Sequence, residues 1–370
     1  MLRPIAIAAG GTGGHLYPAI ATAAALSGRG ERVVLLTDRR TAERSAGAFP
    51  SAEIHVVAGE GIAGRGIARL PGAFASLALG TIQARGLLDR LLPTVIVAFG
   101  GYPSLAPVLA SRALAPRLRP RIVLHEQNAV LGRANRLLAR FADLLALSFA
   151  ETARVPAKAA ARLVGTPVRP AIARLAGAPY RPPEPEGEVR LLVLGGSQGA
   201  RVFADLVPAA LAALPVSLRA RLVLTMQCRS EEIARTEESL GRLGIAFRLA
   251  PFFDDVAARY GEAHLVVCRA GASTVAELAC AGRPAILIPY PHATDDHQSA
   301  NARAFVAGGA AEAFAQSALT PAALAERLVA LLGDPARLVA MAEAARRLAR
   351  PEAARDLAAA VLALVPTEAS

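Results

Sequence analysis

Two glycine-rich turns stand where buried strands are predicted to end. Residues 10–15 read Gly-Gly-Thr-Gly-Gly-His after the apolar run 4–8, and residues 195–199 read Gly-Gly-Ser-Gln-Gly after the apolar run 190–194. Such a turn at the start of a helix presents free backbone N–H groups and the positive end of the helix dipole, which together bind phosphate. The alternative is that the glycines only permit a tight turn and close helix–sheet packing. The presence of two copies makes this alternative less favoured.

Polar side chains follow two further strands in the N-terminal half. The sequence His-Glu-Gln-Asn at residues 125–128 follows the apolar run that ends at Leu124, and Gly-Gly-Tyr at residues 100–102 follows the run 95–99. Ligands of open α/β sheets lie at the carboxyl ends of the strands. We therefore expect one cluster to contain Thr12, His15, Tyr102, Glu126 and Asn128. The alternative is that His125 and Glu126 only pair and cap locally.

The C-terminal half carries a third turn of small residues. Residues 267–277 read as a strand, a turn and a helix start whose N–H groups and hydroxyls suit a diphosphate, with Glu277 able to accept hydrogen bonds from ribose. Glu277 alternatively reads as a helix-start carboxylate stabilised by the dipole. The polar segment 289–301 follows the next strand and suits sugar hydroxyls. The aspartate pairs at 254–255 and 295–296 lack the spacing of a known metal site, so no metal is predicted.

The elements that must position these residues alternate between short strands and longer helices. Apolar runs without alternation are typical of parallel strands covered on both faces. The predicted strands are residues 4–8, 32–37, 95–99, 121–125, 190–194, 221–226, 264–268 and 284–289. We predict an α/β protein with an N-terminal domain at residues 1–165, a Pro-rich linker at 166–188, a second domain at 189–350, and a C-terminal helix and tail at 351–370.

Composition excludes several classes of protein. The chain has 370 residues, of which 54% are hydrophobic, so it is neither disordered nor a small disulfide scaffold. With 4% aromatic residues and no Trp, a nucleic-acid binder that stacks bases is not expected. The uncharged stretch 91–111 contains three prolines and a Gly-Gly pair, which favours a strand, a turn and a helix over a membrane span. No targeting signal is recognised, and the three cysteines fit reduced thiols in the cytoplasm.

The positive charge lies in the N-terminal half. Residues 1–165 contain 20 basic and 9 acidic residues, whereas the rest of the chain contains 21 of each. The net charge of +11 therefore belongs to the first half and indicates an anionic partner there, either a membrane face or a phosphorylated substrate.

An ordered set of motifs resembles one family closely. The motifs are Gly-Gly-Thr-Gly-Gly-His, Gly-Gly-Tyr-x-Ser, His-Glu-Gln-Asn, Val-Gly-Thr-Pro-Val-Arg at 164–169, Gly-Gly-Ser-Gln-Gly-Ala-Arg, Phe-Phe-Asp-Asp at 252–255, and Arg-x-Gly-Ala-x-Thr-Val-x-Glu at 269–277. In this order, over about residues 4–305, they resemble the MurG family of N-acetylglucosaminyltransferases of peptidoglycan synthesis.

The resemblance implies a fold, two substrates and a location. The fold would be GT-B, with two Rossmann-like domains whose parallel sheets face a central cleft. UDP-GlcNAc would be the donor, without a cofactor, and lipid I (undecaprenyl-pyrophosphoryl-MurNAc-pentapeptide) the acceptor. The enzyme would lie peripherally on the anionic cytoplasmic face of the bacterial inner membrane, through a segment that includes Arg65, Arg69, Leu70 and Phe74.

The resemblance also implies roles for individual residues. His15 is the expected general base for the attacking 4-hydroxyl, because an imidazole can take up a proton near neutral pH, and Glu126 is the second choice. The expected substrate-binding residues are Thr12, Gly13, Gly14 and Tyr102 beside the acceptor, and Asn128, Arg169, Ser197, Phe252, Phe253, Ala272, Ser273, Thr274, Glu277 and Gln298 around the donor.

Four other functions remain open at this stage. Another GT-B lipid glycosyltransferase and a UDP-GlcNAc 2-epimerase share the expected architecture. An NAD-dependent dehydrogenase would use Asp38 on the ribose, although the first turn has Leu16 where the dinucleotide fingerprint has its third glycine. A non-catalytic scaffold at a membrane surface is the fourth.

Overall fold

The computed structural model describes residues 3–11, 13–45, 52–58, 70–196 and 199–366. They form two compact units, one of residues 1–169 and 352–370 and the other of residues 170–351. We call them unit 1 and unit 2.

Unit 1 is built on a seven-stranded sheet in which every pair of neighbours is parallel. The strand order is β3-β2-β1-β4-β5-β6-β7. The strands are β1 (Ile5–Ala8), β2 (Val33–Thr37), β3 (Glu53–Val56), β4 (Val95–Ala98), β5 (Arg121–Glu126), β6 (Leu144–Leu147) and β7 (Ala161–Leu163). The helices are α1 (Gly13–Ser27), α2 (Arg39–Ser45), α3 (Leu70–Leu91), α4 (Leu105–Arg112) and α5 (Arg133–Leu138).

Unit 2 repeats the pattern with a six-stranded parallel sheet in the order β10-β9-β8-β11-β12-β13. Its strands are β8 (Val189–Leu194), β9 (Leu222–Gln227), β10 (Ala246–Ala250), β11 (Leu265–Cys268), β12 (Ala285–Leu287) and β13 (Ala311–Ala313). Its helices are α6 (Pro170–Ala173), α7 (Arg201–Ala212), α8 (Val216–Arg219), α9 (Ile233–Gly241), α10 (Val256–Glu262), α11 (Ala272–Ala281), α12 (His297–Ala307), α13 (Pro321–Leu332) and α14 (Pro335–Leu348).

The central strands are apolar because helices cover both faces of each sheet. All residues of β1, β4 and β11 are buried, as the predicted runs without alternation require. All eight predicted strands are present, with ends that differ by up to two residues. The edge strands β3, β7 and β10 are more exposed and polar, so their sequences lack the continuous apolar run that predicts a buried strand.

The last helix, α15 (Ala353–Leu362), belongs to unit 1 although it follows unit 2 in the chain. Its buried residues Leu357, Ala358 and Val361 share a hydrophobic core with Ala19 and Leu26 of α1. Among the described residues, no helix is both long and apolar enough to cross a membrane.

Candidate active site

The first glycine-rich turn brings His15 to the carboxyl end of the unit 1 sheet. The turn leads from β1 into α1, and a Cβ on Gly10 would lie only 2.6 Å from Asp38 Oδ2. Gly11 adopts a φ of 82°, a left-handed conformation that favours glycine. Gly13 and Gly14 form the start of α1, and His15 follows on its first turn. Thr12 lies outside the described residues.

The turn that contains Tyr102 packs beside His15. Gly101 has a φ of 69°, and a Cβ on it would lie 3.4 Å from Cδ2 and 3.5 Å from Nε2 of His15. Ser104 holds this turn, because its hydroxyl donates to the carbonyl oxygen of Gly100 at 2.8 Å. Tyr102 is half-buried directly after Gly101, so its turn forms one wall of the site around His15.

Three of the four polar residues at the end of β5 are buried, and Asn128 is half-buried. The strand continues through Glu126, and His125, Glu126 and Gln127 are each at most 2% exposed. They tolerate burial because each is hydrogen-bonded. The imidazole of His125 binds the carbonyl oxygen of Gly165 at 2.9 Å, and Gln127 lies 2.8 Å from Nδ1 of both His125 and His15.

The carboxylate of Glu126 is fully occupied within unit 1. Its Oε1 accepts from the backbone N–H of Asn128 at 3.0 Å and from the Asn128 side-chain amide at 3.1 Å. Its Oε2 accepts from the backbone N–H of Gly132 and from Asn135 Nδ2, both at 2.8 Å. A buried carboxylate that already accepts four hydrogen bonds shapes the loop after β5, so the geometry favours His15 over Glu126 as the base.

Arg169 ends the first segment of unit 1. Its guanidinium stacks 4.9 Å from the ring of Tyr17 on α1. Such cation–π contacts stabilise a charged group at a defined place. Arg169 therefore adds positive charge near the first turns of α1.

The second glycine-rich turn connects β8 to α7 in the same manner. A Cβ on Gly195 would lie 2.3 Å from the backbone N of Ala200, so only glycine fits. Gln227, at the end of β9, accepts from Gly195 N at 3.1 Å and donates to the Pro251 carbonyl oxygen at 3.0 Å. It thus ties the turn to the segment that contains Phe252, 52% exposed, and Phe253, 4% exposed. Ser197 lies outside the described residues.

The third turn starts α11 with the small residues expected for a diphosphate site. Gly271 is the N-cap, Ala272 is buried, and Ser273 and Thr274 are half-buried on the first turn. The first N–H groups of a helix have no partner inside it, so they are available to an anion. Glu277 is buried one turn further on, with Oε2 at 3.4 Å from the hydroxyl of Tyr260.

Arg269 is a buried cation at the end of β11. Its guanidinium donates to the carbonyl oxygens of Ile288 and Pro289 and to Oε1 of Gln316, at 2.7–3.2 Å. Among the described residues these partners include no carboxylate, and burial lowers the pKa of Arg269. Arg269 also makes a cation–π contact with the ring of Tyr290. The backbone N–H of Tyr290 donates to Oε1 of Gln298 at 2.9 Å. The charge of Arg269 thus favours an anion at this edge of the sheet.

Sequence reasoning assigned no role to three residues that organise these turns: Gln127, Gln227 and Arg269. Each follows an apolar strand run directly or within two residues, and that position was the available signal. In the part of the chain that the structure describes, no group of three His, Cys, Asp or Glu side chains is arranged to hold a metal ion.

Comparison with known proteins decides the family. The model of the glycosyltransferase family 28 N-terminal domain matches residues 5–147, and that of the C-terminal domain matches residues 190–358. The chain belongs to glycosyltransferase family 28. This membership excludes the dehydrogenase alternative, and both carboxylate oxygens of Asp38 are in fact bound by Thr41.

Relatives within the family are similar over nearly the whole chain. One from Acidiphilium cryptum is 53% identical over 93% of this chain and 92% of its own length. One from Granulibacter bethesdensis is 52% identical over 91% of this chain and 87% of its own length. Both are named UDP-N-acetylglucosamine–N-acetylmuramyl-(pentapeptide) pyrophosphoryl-undecaprenol N-acetylglucosamine transferase.

The similarity extends to a solved structure. The crystal structure of Acinetobacter baumannii MurG matches with a TM-score of 0.79 and 29% identity, covering 98% of this chain and 99% of that one. The family match, this structure and the two parallel sheets confirm the predicted GT-B class with two Rossmann-like domains, and the resemblance to MurG.

Proposed function

We propose that this glycosyltransferase moves GlcNAc from UDP-GlcNAc to the 4-hydroxyl of MurNAc in lipid I, which yields lipid II. The observation that carries the proposal is identity above 50% to relatives named for this reaction, over more than nine tenths of the chain. The turns at the carboxyl ends of both sheets contain the residue types that the reaction needs.

Unit 2 is the proposed donor site. The turn at Gly195, with Ser197, and the first turn of α11 would bind the diphosphate through backbone N–H groups and the hydroxyls of Ser273 and Thr274. The buried charge of Arg269 supports an anionic ligand at this edge. Ala272 leaves room for the phosphates, and Glu277 would bind the ribose. Phe252 and the Phe253 backbone would contact uracil, and Gln298 would bind the GlcNAc hydroxyls.

Unit 1 is the proposed acceptor site. His15 lies between the glycine-rich turn and the turn of Tyr102. Its Nε2 is 3.5 Å from the position that a Cβ on Gly101 would take. Gly13, Gly14 and Thr12 would face the pyrophosphate of lipid I through the N-terminus of α1. Tyr102 would line the sugar site, and Asn128 and Arg169 would border the donor.

The proposed reaction is a direct displacement with inversion at the anomeric carbon. The oxygen of the acceptor 4-hydroxyl forms a bond to C1 of GlcNAc while the bond from C1 to the UDP oxygen breaks, and UDP leaves with the electron pair. His15 takes the hydroxyl proton on Nε2. The negative charge that develops on UDP would be stabilised by the N–H groups of the Gly195 turn and of α11, together with Arg269.

We also propose that unit 1 binds the anionic cytoplasmic face of the membrane. Leu79 is 52% and Ile82 is 71% exposed, and they lie three residues apart on one face of α3, with Arg85 one turn further on. The net charge of +11 in residues 1–165 supports attraction to anionic lipids. The segment around Arg65 and Arg69, and the side chains of Leu70 and Phe74, lie outside the described residues.

The decisive experiment measures UDP release and GlcNAc transfer with a soluble lipid I analogue. We expect release from UDP-GlcNAc to depend on the acceptor, and a disaccharide product to accumulate in equal amount. UDP release without acceptor, or conversion of UDP-GlcNAc to its 2-epimer, would contradict the proposal. A second acceptor, diacylglycerol, distinguishes another lipid glycosyltransferase.

The substitution His15→Ala tests the mechanism. We expect kcat to fall about 10²- to 10⁴-fold, because general base catalysis contributes that factor, while the affinity for UDP-GlcNAc, held by unit 2, stays within about twofold. Steady-state kinetics give kcat, and titration calorimetry with UDP-GlcNAc gives the affinity. Near-normal kcat in His15→Ala would remove His15 from the role of base.

A further inference from the structure

A line of hydrogen bonds leads from His15 to a backbone carbonyl of unit 1. His15 Nδ1 lies 2.8 Å from Gln127 Oε1, and Gln127 Nε2 lies 2.8 Å from His125 Nδ1. His125 Nε2 then lies 2.9 Å from the carbonyl oxygen of Gly165. His125 and Gln127 are both buried, so protein groups rather than bulk water decide where their hydrogens lie.

Carbonyl oxygens fix the direction of every bond in this line, because they can only accept. The Gly165 oxygen requires a proton on His125 Nε2, so the neutral imidazole of His125 has its lone pair on Nδ1. Burial lowers the pKa of His125 to about 4, which keeps the ring neutral near pH 7. Gln127 Nε2 also donates to the His125 backbone oxygen at 3.0 Å, which independently sets the orientation of the amide.

The orientation of the Gln127 amide determines the tautomer of His15. With Nε2 of Gln127 facing two acceptors of His125, its Oε1 must face His15 Nδ1. An amide oxygen accepts and does not donate, so His15 carries a proton on Nδ1, and in its neutral form the lone pair lies on Nε2. Nε2 is the atom on the side of the Tyr102 turn, next to Gly101.

We propose that Gln127 and His125 are positioning residues that hold the catalytic imidazole of His15 in its Nδ1–H tautomer, with Nε2 aimed at the acceptor hydroxyl. This inference rests on the proposed function for the role of the base. The same Nδ1–H bond persists when Nε2 takes up the hydroxyl proton, so the step from imidazole to imidazolium needs no rearrangement of the line. The proton then leaves Nε2 to solvent after the product departs.

The tautomer can be measured without any assay of activity. Nitrogen-15 NMR of the histidine-labelled full-length protein distinguishes protonated from unprotonated ring nitrogens, and the His15 signals are assigned by their loss in His15→Ala. We expect the Nδ1–H tautomer for His15 and the Nε2–H tautomer for His125 at pH 7.5. His15 with its proton on Nε2 would overturn the proposal, whether or not the protein transfers GlcNAc.

Two substitutions of Gln127 test its effect on catalysis. Gln127→Met keeps the shape but removes the acceptor and the donor, so we expect kcat to fall about 10- to 100-fold with the KM for UDP-GlcNAc within about twofold. Gln127→Glu keeps an acceptor for Nδ1 and adds negative charge beside the ring. We expect it to retain more activity than Gln127→Met and to move the acidic limb of the pH–rate profile to higher pH, because a carboxylate stabilises imidazolium.

A matched control and the wild-type protein keep the outcomes separate. Gln83→Met changes a glutamine on α3 whose Oε1 accepts from the Ala58 backbone N–H, and it should alter neither the His15 tautomer nor kcat with a soluble acceptor. Unchanged kcat and an unchanged acidic limb in both Gln127 variants would overturn the proposal. If the wild-type protein transfers no GlcNAc, the proposed function fails, while the NMR result still decides the tautomer.

Discussion

At the scale of single residues, buried polar groups at the end of β5 account for much of the site. His125 is fully buried between Gly165 and Gln127, and its ring packs 5.2 Å from that of Phe99. A histidine in this position is stable only when neutral, because burial removes hydration from its charged form, and this loss outweighs the attraction of the nearby Glu126 carboxylate. The same burial that fixes its tautomer therefore makes the fold sensitive to acid.

This sensitivity gives a prediction for stability against pH. The pKa of His125 falls from 6.5 to about 4 on folding, so the unfolded chain binds a proton between these values that the folded chain does not. The stabilisation is present above pH 6.5 and is lost as pH falls toward 4. From pH 7 to pH 5 we expect the free energy of unfolding to fall by about 2 kcal/mol more in the wild type than in His125→Gln. Urea unfolding at both pH values measures this difference.

His264 does not disturb the comparison, although burial also lowers its pKa. It is present in both proteins, so its contribution cancels. Equal loss of stability in wild type and His125→Gln would show that His125 is not buried in the neutral form.

At the scale of elements, the same steric device recurs in both units. Close packing leaves no space for a Cβ at one glycine of each turn: at Gly10 it would meet the side chains of Thr37, Asp38 and Pro103, and at Gly195 the backbone of Gly199 and Ala200. The close approach exposes N–H groups at the carboxyl edge of the sheet. Glycine is thus required at these two positions by contact distance, and Gly11 is required by its positive φ.

Substitution of Gly195 tests this device in the proposed donor site. A Cβ at 2.3 Å from Ala200 N must displace backbone, so Gly195→Ala should weaken UDP binding at least about tenfold, the equivalent of about 1.4 kcal/mol. Titration calorimetry with UDP is the measurement. Gly177→Ala is the matched control, because a Cβ there meets no atom within 4 Å. Comparable UDP affinities in the two variants would exclude the Gly195 turn from the site.

At the scale of the whole molecule, charge and exposed apolar side chains lie in the same unit. Unit 1 contains residues 1–165, which hold the entire net charge, and it presents Leu79 and Ile82 on α3. Basic residues near an anionic leaflet gain about 1 kcal/mol each, and salt screens that gain over a Debye length of about 8 Å at 0.15 M. The net charge and the exposed apolar side chains therefore both favour unit 1 as the unit that binds the membrane surface.

Vesicle binding tests the membrane proposal. We expect binding to anionic vesicles that weakens with added salt, and little binding to neutral vesicles. The double variant Leu79→Ser/Ile82→Ser should bind anionic vesicles about tenfold more weakly, because apolar side chains no longer enter the interface. Val216→Ser, which changes an equally exposed side chain of unit 2, is the control. Equal binding to neutral and anionic vesicles would refute the electrostatic part, and wild-type binding by the double variant would refute the role of α3.

The sequence predicted eight of the thirteen strands that the structure describes, and the strand-to-helix turns after β1, β8 and β11, because their signals are local. Buried parallel strands are continuous apolar runs, and the turns after β1 and β8 are recognised by their clustered glycines. Local patterns could not show that Glu126 is saturated by hydrogen bonds. Its partners include Gly132 at the N-cap of α5 and Asn135 on α5, six and nine residues away, and the position of this helix depends on packing.

The sequence by itself determined two Rossmann-like domains, the places where strands end, and the residue types that stand there. Only the tertiary structure decided which of those residues touch. His15 meets Gln127 across 112 residues of chain, His125 meets Gly165 across 40, and α15 returns from the far end of the chain to pack on α1. These contacts join segments distant in sequence, so they follow from the order of strands in the sheet and from burial, which no local pattern contains.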